Sequence, residues 1–136
     1  MSRILGIDYG IKRCGLAVTD PMQLIVSGLD TIFTNDLKDF VLAYNTTENL
    51  HKIVLGKPVH KDGTDTFLML EIEKFSEWVL QMLPNVQIDF VDERNTSVAA
   101  KAAILESGVK KKDRRNKALV DKVSAVIILQ RYLGHY

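Results

Sequence analysis

Three acidic positions fall where folding would bring them to chemistry. Asp8 closes the first apolar, β-rich run, Arg3 to Tyr9. Asp92 and Glu93 follow a later run in which Val86, Ile88 and Phe90 alternate with Gln87, Asp89 and Val91. In α/β sheets ligands gather beyond the carboxyl ends of the strands, so both places face the expected crevice. Asp121 lies in the last helical segment. At about 100° per residue it shares a stripe with Ala118, Ala125, Ile128 and Tyr132, the core-facing side. A carboxylate there is costly to bury unless a cation or hydrogen-bond donors meet it. Acids converging on one spot repel one another, and a divalent metal relieves that repulsion. Mg²⁺, with Mn²⁺ as a substitute, suits oxygen ligands and keeps sites for water and phosphate. Two such ions about 4 Å apart can stabilise the attacking and leaving oxygens of a phosphodiester displacement.

Each acid also has a plainer reading. Asp8 can cap the turn into Gly10. Asp121 can pair with Lys117 one turn earlier, and Glu93 with Arg94 or a distant base. Taken singly these readings are the commoner ones; the joint placement favours a metal site.

Basic residues are concentrated. The whole chain of 136 residues carries +1, yet Lys110 to Lys117 holds six bases and one acid, leaving the rest at −4. Lys110, Lys111, Lys112, Arg114, Arg115 and Lys117 either form a solvated loop or grip a phosphate backbone near the metals. Lys12 and Arg13, in the turn after Asp8, are phosphate candidates or a solvated hairpin tip. No aromatic interleaves the basic run, so shape and phosphate recognition are expected there, not base reading. His51, His60 and His135 lack metal-ligand spacing, and no nucleotide-binding glycine loop is present.

These residues need a scaffold. The length is that of one domain, expected to span residues 1–136. With 46% apolar and 26% charged residues, a disordered chain, a collagen repeat and a disulfide scaffold are excluded. No apolar stretch is long enough to span a bilayer. A lone cysteine, Cys14, and an acid where a signal peptide needs apolar residues point to the cytoplasm.

The first third reads as strands: Arg3–Tyr9, Cys14–Thr19 and Leu24–Phe33. Links this short join antiparallel neighbours. Asp36 to about Asn45 has helical spacing, Lys52–Gly56 is a short buried strand, and Phe67–Leu83 repeats apolar residues at steps of three and four. Val86–Val91 is a strand, a helix runs from Asn95 or Thr96 to about Ser107, and a last helix covers Asn116–Leu133. The order predicts an α/β fold with one mixed sheet and helices on its faces.

Gly6-Ile7-Asp8-Tyr9-Gly10 with Lys12-Arg13-Cys14-Gly15-Leu16-Ala17 resembles the opening motif of the YqgF/RuvX family. Val91 to Ser97 is similar to its Asp-Glu-Arg-x-Thr segment, and Lys117 to Leu133 to its closing helix. Gly56-Lys57-Pro58 and Asp62-Gly63-Thr64 resemble its middle loop. Ser124 and Val126 depart from the usual alanine-rich helix, and Lys57 from the usual leucine. The resemblance implies a ribonuclease H-like five-stranded sheet and metal-dependent cleavage of nucleic acid, with Asp8, Glu93 and Asp121 as catalytic and metal-binding triad and Asp92 as neighbour. It further implies trimming of the 5′ end of precursor 16S ribosomal RNA in the bacterial cytoplasm. An older name for the family, Holliday junction resolvases, points instead to four-way DNA junctions cut by a homodimer rather than structured RNA cut by a monomer or homodimer. A non-catalytic RNA-binding assembly factor is the third expectation.

Overall fold

The computed structural model describes residues 2–58, 66–92, 96–108 and 116–135. Five strands form one sheet: β1 (Arg3–Asp8), β2 (Arg13–Thr19), β3 (Val26–Phe33), β4 (Leu50–Lys57) and β5 (Gln87–Asp92). Their spatial order is β3-β2-β1-β4-β5. The first three are antiparallel, whereas β4 and β5 run parallel to β1. The described helices are α1 (Leu37–Glu48), α2 (Thr66–Met82), α3 (Thr96–Glu106) and α4 (Lys117–Tyr132). The mixed ribonuclease H-like sheet expected from the sequence is therefore present, with helices on both faces.

Period-two alternation divides the strand side chains between two cores. Leu5, Ile7, Leu16, Ile53 and Leu55 face α1 and α2, meeting Val41, Ile72, Phe75 and Val79. Ile4, Ala17 and Val54 face α4, meeting Ala125, Ile128 and Leu129. Helix α3 packs on α4. Strand β1 lies at the centre, as its apolar composition predicts.

Three element boundaries differ from expectation by two residues or more. Strand β3 starts at Val26, not Leu24, because Asp20 gathers the preceding turn. Its carboxylate accepts the amides of Met22, Leu24 and Ile25 at 3.1, 2.8 and 2.7 Å. Helix α1 runs past Asn45 to Glu48, where Asn49 ends it in a left-handed conformation. The polar Asn-Thr-Thr run resembles a loop in sequence, yet both threonine hydroxyls donate back to helix carbonyls. Strand β4 begins at Leu50 because Arg3 of β1 pairs with it.

Helix α4 holds one unpaired group. Among the described residues the Ser124 hydroxyl is buried without a hydrogen-bond partner. Ser124→Ala removes an orphaned polar atom, so it is expected to stabilise the fold by about 1 kcal/mol in urea unfolding.

Candidate functional site

Strands β1, β4 and β5 end at one edge of the sheet, since Gly56 pairs with Val91 and Lys57 with Asp92 while Ile7 pairs with Leu55. Asp8 closes β1 at that edge, opposite Gly15 of β2. Helix α4 crosses above this pair. A Cβ on Gly15 would overlap the main-chain carbonyl of Asp121. The Asp121 backbone thus rests directly on the residue paired with Asp8, and two carboxylates 113 positions apart in sequence become neighbours.

Local bonds fix this placement. Asn116 caps α4 by accepting from the Ala118 amide at 2.9 Å, and the Thr31 hydroxyl of β3 donates to the Ala118 carbonyl at 2.5 Å. Asp121 therefore sits one turn inside a helix whose start is tied to the sheet. The turn after Asp8 is also pinned. Thr34 donates from its hydroxyl to the Gly10 carbonyl at 2.7 Å and from its amide to the Lys12 carbonyl at 3.0 Å.

The electrostatics follow from burial. Desolvation, then the charge of Asp121, pushes the Asp8 carboxyl from 3.8 up to about 7. Burial also raises Asp121, while Arg13 and Lys117 pull it back. Arg13 Nε lies 3.6 Å from Asp121 Oδ2, both side chains about a third exposed. Among the described residues no hydrogen bond or ion pair reaches the Asp8 carboxylate. Asp8 therefore does not cap its turn, and the base in contact with Asp121 is Arg13; Lys117 acts from further away.

Lys12 is exposed on the pinned turn, and Lys117 is exposed in the first turn of α4. Arg13 and Lys117 both bring positive charge to Asp121, and Lys12 adds a third base on the turn after Asp8. Glu93, Lys110, Lys111, Lys112, Arg114 and Arg115 lie outside the described residues, as does Asp62-Gly63-Thr64. The neighbourhood of Glu93 is described on both sides. Arg131 of α4 donates to the Asp92 carbonyl at 3.4 Å and to the Thr96 hydroxyl at 3.0 Å. Helix α4 thereby holds the end of β5 and the start of α3 as well as carrying Asp121.

Two oxygen donors, one without a partner and each made harder to ionise by burial, are chemically suited to a hard divalent cation. Among the described residues no group of three His, Cys, Asp or Glu side chains is gathered.

Sequence reasoning from acids and bases missed Gly15. Its signal was available: Gly6, Gly15 and Gly28 interrupt β1, β2 and β3, and each faces α4. Glycine inside a strand commonly marks a close approach.

The sheet order, with a helix crossing the end of its central strand, defines a ribonuclease H-like fold. Two solved structures share the fold at 15% identity. RuvC of T. thermophilus, solved with a Holliday junction substrate, matches with a TM-score of 0.58. The Fowlpox virus resolvase, solved with Holliday junction DNA, matches with 0.52. Each comparison covers 98% of this chain and 97% of the other. The chain belongs to the RuvX family, described as Holliday junction resolvase, whose model matches residues 2–135.

Relatives carry a different label. A protein of Phocaeicola vulgatus named "Putative pre-16S rRNA nuclease" is 50% identical over 133 residues, covering 98% of this chain and 96% of its own. One of Porphyromonas gingivalis with the same name is 50% identical over 135 residues, covering 99% and 98%. Both labels describe nucleases, hydrolases of phosphodiester bonds, and the chain is an enzyme of that class. No helix among the described residues is long and apolar enough to cross a membrane.

Proposed function

We propose that this chain is a divalent-metal-dependent endonuclease that trims the 5′ end of precursor 16S ribosomal RNA in the cytoplasm, acting through one domain over residues 1–136. The observation that carries the metal-dependent reading is the neighbouring carboxylate pair, with Asp8 unpartnered among the described residues and pushed up to about 7. The names of the half-identical relatives support the RNA substrate.

Asp8 and Asp121 would hold the metal, together with Glu93, which follows the end of β5. Bound there, Mg²⁺ or Mn²⁺ supplies charge neutralisation and Lewis acidity at the scissile phosphate. The chain's own contribution is position and charge. Strand β1 and helix α4 fix the two carboxylates against each other, so little reorganisation is needed when substrate arrives. Arg13, beside Asp121, and Lys12, on the pinned turn, offer positive charge to the phosphates on either side of the cut. The basic run ending at Lys117 adds salt-dependent affinity for the backbone.

Purified protein is expected to cleave precursor 16S RNA with Mg²⁺ or Mn²⁺ and to lose that cleavage in EDTA. Equal cleavage in EDTA would overturn the metal mechanism. The family description and the junction-bound neighbours favour a second reading, nicking of four-way DNA junctions. Paired nicks need two sites, hence a dimer. A panel of precursor RNA, duplex, single strand and four-way junction, with light scattering on the same preparation, separates the two. Binding of RNA without cleavage of any substrate would identify an assembly factor instead.

A further inference from the structure

On the other side of the same strand end lies a cavity of about 330 Å³. Asp8 and Tyr9 are consecutive, so they face opposite sides of β1: Asp8 meets α4, and Tyr9 joins the core under α1 and α2. Tyr9, Phe67 and Phe75 supply aromatic surface to the cavity, while Asn35, Lys38 and Glu71 supply polar groups. The ring centroids of Tyr9 and Phe75 are 5.8 Å apart. Phe67 is 60% exposed although it is a large apolar residue. Tyr9 is only 8% exposed, and among the described residues its hydroxyl has no hydrogen-bond partner.

We propose that this cavity is a nucleobase pocket, taking one unpaired base of the substrate strand next to the phosphate that would be cut at the Asp8–Asp121 site. The inference rests on the nuclease reading for the identity of that strand. The volume is at the small end for ligand pockets, which fits one flat ring system. The exposed Phe67 ring suits stacking over an apolar floor of the nearly buried Tyr9 and Phe75, and the polar groups include both donors and acceptors, as the edge of a base requires. A free phosphate would gain nothing from the rings. An aliphatic chain would leave the Tyr9 hydroxyl without a partner among the described residues. Position selects the same ligand: the strand that presents Asp8 to a phosphate presents Tyr9 one residue later. The aromatics absent from the basic run are thus supplied by the residue that follows β1 and by α2, on the opposite side of the sheet from Asp121.

The test is binding of a short single-stranded RNA carrying 2-aminopurine to the full chain in EDTA. The comparison ligand is the same sugar–phosphate backbone without bases. Stacking in the pocket is expected to quench the 2-aminopurine, and the base-free backbone to bind about tenfold more weakly. Phe67→Ala, at an exposed position that the fold does not need, should abolish the quench and bind both ligands alike. No quench in the wild type, or equal affinity of the wild type for the two ligands, overturns the pocket without use of any variant. Cleavage is not part of this readout. A chain that distinguishes the ligands but cuts no substrate with Mg²⁺ keeps the pocket and overturns the nuclease reading. One that cuts but does not distinguish them does the reverse.

Discussion

Asp8→Asn is expected to abolish cleavage and, at the same time, to stabilise the metal-free fold above neutral pH. In the unfolded chain the Asp8 carboxyl ionises near 3.8; in the fold burial and then the Asp121 charge raise it to about 7. The folded state therefore holds this proton more tightly than the unfolded state does. Its contribution to stability is complete below pH 3.8, declines as pH rises, and is gone above about 7. A rise of that size corresponds to up to about 4 kcal/mol. Asparagine keeps the shape and never ionises, so the variant escapes the loss. Urea unfolding in EDTA at pH 8 should show the variant more stable, with the two curves converging towards pH 4. Adding Mg²⁺ should then raise the melting temperature of the wild type and leave the variant nearly unmoved. Parallel pH profiles for the two proteins would refute the buried, charge-crowded placement of Asp8.

Gly15→Ala is expected to damage both fold and activity more than any other single methyl added to the sheet. The new Cβ would occupy the place of the Asp121 carbonyl, which belongs to a helix backbone and cannot rotate away. Helix α4 must lift, and it also packs on β1, β3 and α3. Overpacking commonly costs about 1–3 kcal/mol and more where backbone must move, so about 3 kcal/mol or more is expected here. Even a folded fraction would carry Asp121 displaced from Asp8, and a shift of about 1 Å at a reacting centre can cost on the order of 100-fold in rate. Gly28→Ala is the control. It faces the same helix, but its Cβ would meet only side chains, the nearest being Lys122, 3.1 Å away at Cγ, which can swing aside. Thermal unfolding and cleavage assays on both variants should separate them clearly; similar losses would mean that α4 does not seat on Gly15.

Much of this architecture was legible before any coordinates. Alternation in β1 and β2, and the three-and-four spacing of Leu68, Ile72, Phe75 and Val79 in α2, reflect burial on one face, which composition records directly. The side of α4 that meets the sheet was readable from Ala125 and Ile128 for the same reason. Boundaries were harder because they depend on single bonds. The Asp20 turn and the Asn49 stop are decided by a carboxylate and a backbone angle that no periodicity encodes. At the site, Asp8 and Asp121 were identifiable as unusual, whereas their adjacency depends on Gly15, whose role is the absence of a side chain. Arg13 was read as a phosphate candidate or part of a solvated hairpin tip; its pairing with Asp121 is a tertiary event. The cavity beside Tyr9 could not be read at all, since Phe67 and Phe75 carry the same helical spacing whether they fill a core or border a hollow.

The seating of α4 on β1 and β2 also has a temporal meaning. Asp8 leaves the ribosome 113 residues ahead of Asp121, so no growing polypeptide possesses the carboxylate pair until α4 has emerged and docked. The strands can collapse earlier, during synthesis. On the proposed function, a half-made copy of this enzyme would be harmless to the RNA around it, and competence to cut would begin only with arrival of the helix that completes the pair.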